Sequence, residues 1–161
     1  MRIELYEAKR EDAPILANLL QLYLHDFTDW ADWDVEPDGR YDTSDLDGCW
    51  DDDARHPFIV VVDGHLAGFA IVDRGSADTD DADVWDMAEF FVMRKYRRRG
   101  VGGEIARRLF ARFPGRWEVR EMAGNVIAQA FWRRTIAAWT HDAYTESPRA
   151  QGGVMQRFVS G

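Results

Sequence analysis

Five basic residues, Arg94, Lys95, Arg97, Arg98 and Arg99, run directly into Gly100, Gly102 and Gly103, and the run follows a short apolar stretch, Phe90 to Val92. Backbone that turns at glycine and then enters a helix leaves several amide N–H groups without a partner, and the helix dipole favours an anion beside them. With guanidinium groups on the flank, a polyphosphate is the natural occupant. Spacing tests the common phosphate loops. A P-loop needs Lys and then Ser or Thr after its last glycine, but Gly103 is followed by Glu104 and Ile105, which excludes it. A dinucleotide fingerprint needs Gly or Ala three residues after its second glycine, and that position is Ile105, which disfavours it. The same stretch carries an acid–base candidate, Glu89. A carboxylate beside Trp85, Met87 and Phe91 is partly desolvated, which lifts its pKa toward the range of a general base, although an ion pair with a nearby arginine would account for it equally well. Asp86 and His25 are weaker candidates for the same role.

The spacing that does fit is Arg97, two residues, Gly100, one residue, Gly102, directly after a hydrophobic strand. It resembles the acyl-CoA pyrophosphate loop of the GNAT superfamily of N-acetyltransferases. The flanks extend the resemblance: Glu89 stands three residues before Val92, and Asn125, Ala128, Phe131 and Trp132 match a second signature on a helix. Together these cover Met87 to Trp132. The resemblance implies that acetyl-CoA lays its phosphates on backbone amides of Arg98, Arg99, Gly100, Val101, Gly102 and Gly103 after Arg97. Its pantetheine arm would pair along Phe90, Phe91 and Val92, with a main-chain N–H near Phe91 facing the oxyanion. Asn125 and Trp132 would complete the coenzyme set. Asn125 is also a good N-cap, so the two roles are shared. Glu89 would be the base. One departure matters: where the family usually has a Tyr that protonates the leaving sulfur, this chain has Trp132. An indole N–H donates hydrogen bonds but is no useful proton donor. Water, or a hydroxyl such as that of Tyr144, would have to serve.

The activity implied is an acetyl-CoA-dependent N-acetyltransferase acting on a primary amine of a small molecule or peptide, by direct attack in a ternary complex. A non-catalytic acyl-CoA-binding or regulatory module is the alternative, and a nucleotide-binding protein of another fold a third reading.

Positioning these residues takes a mixed array of strands and helices. Arg2 to Ala8 alternates as a strand. Asp12 is placed to cap a helix from Ala13 to His25, with Pro14 in its first turn and Ile15, Leu16, Leu19, Leu20, Tyr23, Leu24 and Phe27 recurring on one face. Phe58 to Val62 and His65 to Val72 flank Asp63-Gly64, the signature of a hairpin with a type I′ turn. Val84 to Val92 is a strand, Pro114 and Gly115 close the helix after the loop, Arg116 to Glu121 is another strand and Gly124 to Ala138 another helix. His141 to Glu146 and Gly153 to Val159 form a last antiparallel pair. The pattern is α/β or α+β. The GNAT resemblance makes it a mixed, mostly antiparallel sheet with helices on both faces, in one domain spanning residues 1–161.

The 161 residues suit one core, and 46% hydrophobic content with 13% aromatic is globular. No apolar run is long enough for a membrane span and no secretory segment is visible, so a cytoplasmic protein without a membrane partner is expected. Cys49 is the lone cysteine, and His56 and His65 lack further ligands at metal spacing, so no metal site is supported. The net charge of −9 conceals an acidic segment from Asp26 to Asp53 and a basic one from Arg94 to Arg116. The first suits a cationic acceptor or simply solubility, the second an anionic coenzyme. Nucleic acid is disfavoured, because the arginine cluster is short and the chain acidic. Trp30, Trp33, Tyr41 and Trp50, set among the acids, either hold an amine by cation–π contacts or pin a long loop to the core. Exposed C-terminal strands pair subunits in similar folds, so a homodimer is compatible with the chain.

Overall fold

A computed structural model describes residues 1–161. Ten regular elements follow in order: β1 (Ile3–Glu7), α1 (Ala13–Phe27), β2 (Arg55–Val62), β3 (His65–Arg74), β4 (Trp85–Val92), α2 (Val101–Arg112), β5 (Gly115–Glu121), α3 (Val126–Thr140), β6 (Tyr144–Pro148) and β7 (Val154–Ser160). The strands form one mixed sheet in the order β1-β2-β3-β4-β5-β7-β6. β1 runs antiparallel to β2 with Leu5 opposite Val60, and β7 is antiparallel to both β5 and β6. β4 and β5 are parallel, but their ladder is short, joining Trp85 to Trp117 and Asp86 to Glu118.

The backbone groups into two compact units, Met1–Ile71 with Glu89–Arg97, and Val72–Ala88 with Arg98–Gly161. In the first, α1 buries Leu16, Leu19 and Leu20, as its three-and-four spacing requires, in a core that includes Phe58, Ile59, Val60 and Phe69. Tyr23 meets Phe69 and Phe91 edge-on, with ring centroids 5.6 and 5.7 Å apart. In the second, α2 buries Val101, Ile105, Ala106, Leu109 and Phe110 along one stripe. Phe110 packs edge-on against Trp117 and Phe158, which lie parallel to each other. Indole N–H groups there find carbonyls: Trp117 Nε1 donates to Phe113 O at 2.8 Å and Trp85 Nε1 to Pro114 O at 3.0 Å. Rings of this size contribute most of such a core while their polar edges stay paired.

Several boundaries differ from the sequence expectation for local reasons. Asp12 does not cap α1 with its side chain; its carboxylate turns back to accept from the Lys9 amide at 2.9 Å and closes a 3-10 turn, Arg10–Asp12, ahead of the helix. α1 itself continues two residues beyond His25, to Phe27. α3 runs on to Thr140 because His141 and Asp142 adopt left-handed backbone that ends the helix there, which delays β6 until Tyr144. At the expected hairpin, Asp63 and Gly64 both have positive φ, as a type I′ turn demands. Between α1 and β2, residues 28–54 are tied down rather than loose. Gln21 donates to Tyr41 O and accepts from Tyr41 N, both at 2.8 Å, and a 3-10 segment Ser44–Trp50 buries Leu46 and Cys49.

Candidate active site

The loop after β4 is built by three backbone devices. A 3-10 turn, Arg94–Tyr96, buries the Tyr96 ring, Arg97 is extended, and Arg98 and Gly100 both take positive φ, +57° and +84°. Gly100 is thereby the N-cap of α2, in a conformation that any side chain would strain, and a Cβ placed on it would meet no protein atom within 4 Å. The space beside Gly100 at the start of α2 is therefore open. The first-turn amides, at Val101, Gly102 and Gly103, lie at the positive end of the helix dipole, where an N-cap glycine offers no side-chain oxygen to satisfy them.

The basic run divides in two. All four arginines are exposed, but Arg94 and Arg97 are turned back onto the end of α1 while Arg98 and Arg99 are not part of that contact. Asp26 Oδ1 accepts from Arg94 Nε and Nη2 at 3.2 and 2.7 Å, and Asp26 Oδ2 accepts from Arg97 Nη2. Arg97 Nε also donates to Val92 O at 2.6 Å, with its guanidinium 5.6 Å from the centre of the Phe91 ring. Arg97 is thus a brace between the end of β4 and the end of α1. Burial pushes the Asp26 carboxyl up, but the hydrogen bonds and charges of Arg97 and Arg94 outweigh it and hold the group below the ordinary carboxylate range. Farther along α2, Glu104 holds Arg107 and Arg108 at 2.8 Å each.

On β4, Glu89 and Phe90 are half-buried while Phe91 and Val92 are buried. Asp86, the alternative base, is committed elsewhere: Arg120 grips it with hydrogen bonds of 3.1 and 2.6 Å. Burial raises the Asp86 pKa despite that partner. His25 is exposed, its Nδ1 3.3 Å from the Tyr41 hydroxyl. Asn125 caps α3, accepting from the Ala128 amide at 3.0 Å, as its residue type suggests. Trp132 lies in the core of the second unit, against Phe110 and Phe131. Tyr144 is half-buried on β6 and lines an open hollow of about 530 Å³ with Asp142, Arg157 and Phe158.

Two groups escape sequence reading. Asp26 reads as one acid among many, and nothing in a single sequence pairs it with arginines 68 and 71 positions away. Glu121 does carry a signal. On β5 it falls in phase with Trp117 and Val119, so period-two alternation points it inward, and it is indeed buried.

Comparison with known proteins gives the fold and the family. A search of curated proteins finds no match. Among solved structures, an acetyltransferase from Thermus thermophilus superposes with a TM-score of 0.76 at 15% identity, over 99% of this chain and 97% of that one. The ribosomal-protein-S18-alanine N-acetyltransferase of Escherichia coli gives 0.64 at 14% identity, over 99% and 95%. The enzyme AAC(6')-Iy, solved with a CoA bisubstrate analogue, gives 0.57 at 19% identity, over 84% and 90%. At such identities these likenesses speak to fold. The model of the acetyltransferase (GNAT) family matches residues 16–136, a span that includes the Arg97–Gly103 loop and the start of α3, and the chain belongs to that family.

Proposed function

We propose that the protein is an acetyl-CoA-dependent N-acetyltransferase that acetylates a primary amine of a small molecule or peptide by direct attack in a ternary complex. One observation carries the reading most: a helix start at Gly100 with open space beside it and exposed Arg98 and Arg99 next to it, in the stretch that resembles the family's pyrophosphate loop. Amides from Arg98 to Gly103 would take the phosphates. The thioester end would lie on β4 at Phe90, Phe91 and Val92, with a main-chain N–H at Phe91 toward the carbonyl oxygen. Because Arg97 already occupies Val92 O, its part is to shape this end of the strand rather than to touch phosphate with its side chain. Glu89, directly or through water, takes the proton of the attacking amine. The amine nitrogen bonds to the thioester carbon, the carbon–sulfur bond breaks, and the thiolate takes its proton from water, since Trp132 is packed in the core and cannot acidify the site.

For the acceptor, the connection after α1 supports a cationic amine. Phe27 lies parallel to Trp33 and edge-on to Trp30, beside exposed Asp29, Asp32 and Asp34. Aromatic faces with carboxylates nearby suit an ammonium group. The buried Trp132 favours one other reading, a coenzyme-binding module without turnover. Release of free thiol in the presence of acetyl-CoA and a panel of polyamines, aminoglycosides, amino acids and peptide N-termini separates the two. Turnover of any member supports the enzyme, and tight CoA binding with no thiol release across the panel supports the module.

A further inference from the structure

Near α3, at the end of β5, sits a carboxyl group without a hydrogen bond of ordinary geometry. Glu121 is buried, and neither of its oxygens has a hydrogen-bond partner; the same is true of Oε1 of Gln156 on β7. Every charged group facing it is engaged elsewhere. Arg133, from α3, donates to both oxygens of Glu146 on β6 at 2.8 and 2.7 Å. Arg149, from the β6–β7 connection, is bound by Asp78 at 2.6 and 2.9 Å. Gln156 Nε2 donates to Glu146 Oε2 at 2.7 Å. Flipping the Gln156 amide would only move the difficulty, because its N–H would turn to Glu121 while its oxygen faced the Glu146 carboxylate it now donates to. An ionised Glu121 would therefore be a buried charge with neither oxygen hydrogen-bonded and one further orphan acceptor, Gln156 Oε1, an arrangement costlier than a neutral one. One proton removes the charge and makes one carboxyl oxygen a donor for Gln156 Oε1. Burial, and secondarily the Glu146 charge, push the Glu121 pKa up to about 8 against the pull of Gln156, Arg133 and Arg149.

The carboxyl is also well placed to matter. Gly153 packs so tightly on β5 that a Cβ there would lie 1.9 Å from Glu121 O, and Gln129 Nε2 on α3 donates to the carbonyls of Met122 and Ala123 at 3.0 and 3.2 Å. The turn from Glu121 to Asn125 is thus clamped on both sides, with the carboxyl at its root. We propose that Glu121 works as a neutral acid, donating its proton to Gln156, and that this bond positions the turn presenting Asn125, so that ionisation of Glu121 loosens it. The protonation state stands on the geometry alone; its effect on catalysis rests on the acetyltransferase reading.

Carbon-13 NMR of side-chain carboxyls in the intact protein tests the first part without any variant. The Glu121 Cδ resonance is expected to titrate on the alkaline side of neutrality, several pH units above the other glutamates, and titration together with them below about pH 5 would overturn the proposal. For the second part, wild type should show a several-fold rise in KM for acetyl-CoA between pH 7 and 9 with kcat changing less, and Glu121→Gln, whose amide also donates to Gln156, should lack that rise. An identical pH profile in the variant would refute the positioning role. If the variant does not fold, Gln156→Glu serves instead: it should shift the Glu121 titration, and an unmoved Glu121 resonance would refute the pairing. A preparation inactive with every amine would sink the acetyltransferase reading and leave the NMR result standing.

Discussion

Glu89 and Gly100 are the residues on which the proposed chemistry turns, and they ask different things of the chain. Glu89 must offer a carboxylate at the middle of β4, so Glu89→Gln should lower kcat by about a hundredfold or more while CoA affinity stays within a factor of two or three, because general-base assistance is worth about 10²–10⁴. Steady-state kinetics beside calorimetric titration with CoA would check this, and a fully active variant would remove the residue from the mechanism. Gly100 asks for backbone freedom. Gly100→Val at φ +84° should cost about 1–3 kcal/mol in thermal or denaturant unfolding and weaken CoA at least tenfold. Unchanged CoA affinity would argue against the loop.

At the scale of elements, the joint between α1 and the end of β4 is held by one carboxylate. Asp26 satisfies Arg94 and Arg97 together, and Arg97 in turn caps the last carbonyl of the strand. Asp26→Ala leaves two guanidinium groups without their acceptor. A loss of about 0.5–1.5 kcal/mol in denaturant unfolding is expected, since water can reach both arginines, with faster amide exchange at Val92 and Tyr96. Hydrogen exchange unaltered at those positions would show that the brace does not hold the strand end. α2 was legible because glycines open it and Pro114 and Gly115 close it, and α3 because Asn125 starts it, whereas the end of α3 was not, since left-handed His141 and Asp142 set it. The connection of residues 28–54 was not, since its order comes from Gln21, a residue on another element that binds Tyr41 through two hydrogen bonds. No local pattern encodes such a partnership.

For the molecule as a whole, buried and paired carboxylates set opposing pH slopes. Asp26, Asp78, Glu104 and Glu146 have lowered pKa values. Each contributes stability that is present above its unfolded value, near 4, and is lost as pH falls through the folded one. Glu121 works the other way. Its folded pKa of about 8 exceeds the unfolded value near 4.5, so the folded form binds the extra proton and stability declines as pH rises across that interval. The melting temperature should accordingly peak in the weakly acidic range, near pH 5, and fall toward pH 8. Glu121→Gln should flatten the alkaline limb alone, and a calorimetric series from pH 4 to 9 would decide. A wild-type profile that is level from pH 5 to 8 would count against a protonated Glu121. No helix is long and apolar enough to cross a membrane.

Local chemistry determined a great deal here: glycine placed where φ must be positive, arginines ahead of an open helix start, an Asp-Gly turn, an asparagine cap and the apolar stripes of three helices all act within a few residues of themselves. The sequence therefore announced the strand–loop–helix unit, the mixed sheet and the family. What only the tertiary structure decided is which charges meet. Arg94 and Arg97 are spent on Asp26, Asp86 on Arg120, Trp132 on the core, and Glu121 is left buried with neither oxygen hydrogen-bonded. Those outcomes depend on side chains distant in sequence arriving at one place and on how much water is excluded when they do, and neither quantity is written in the spacing of residues along the chain.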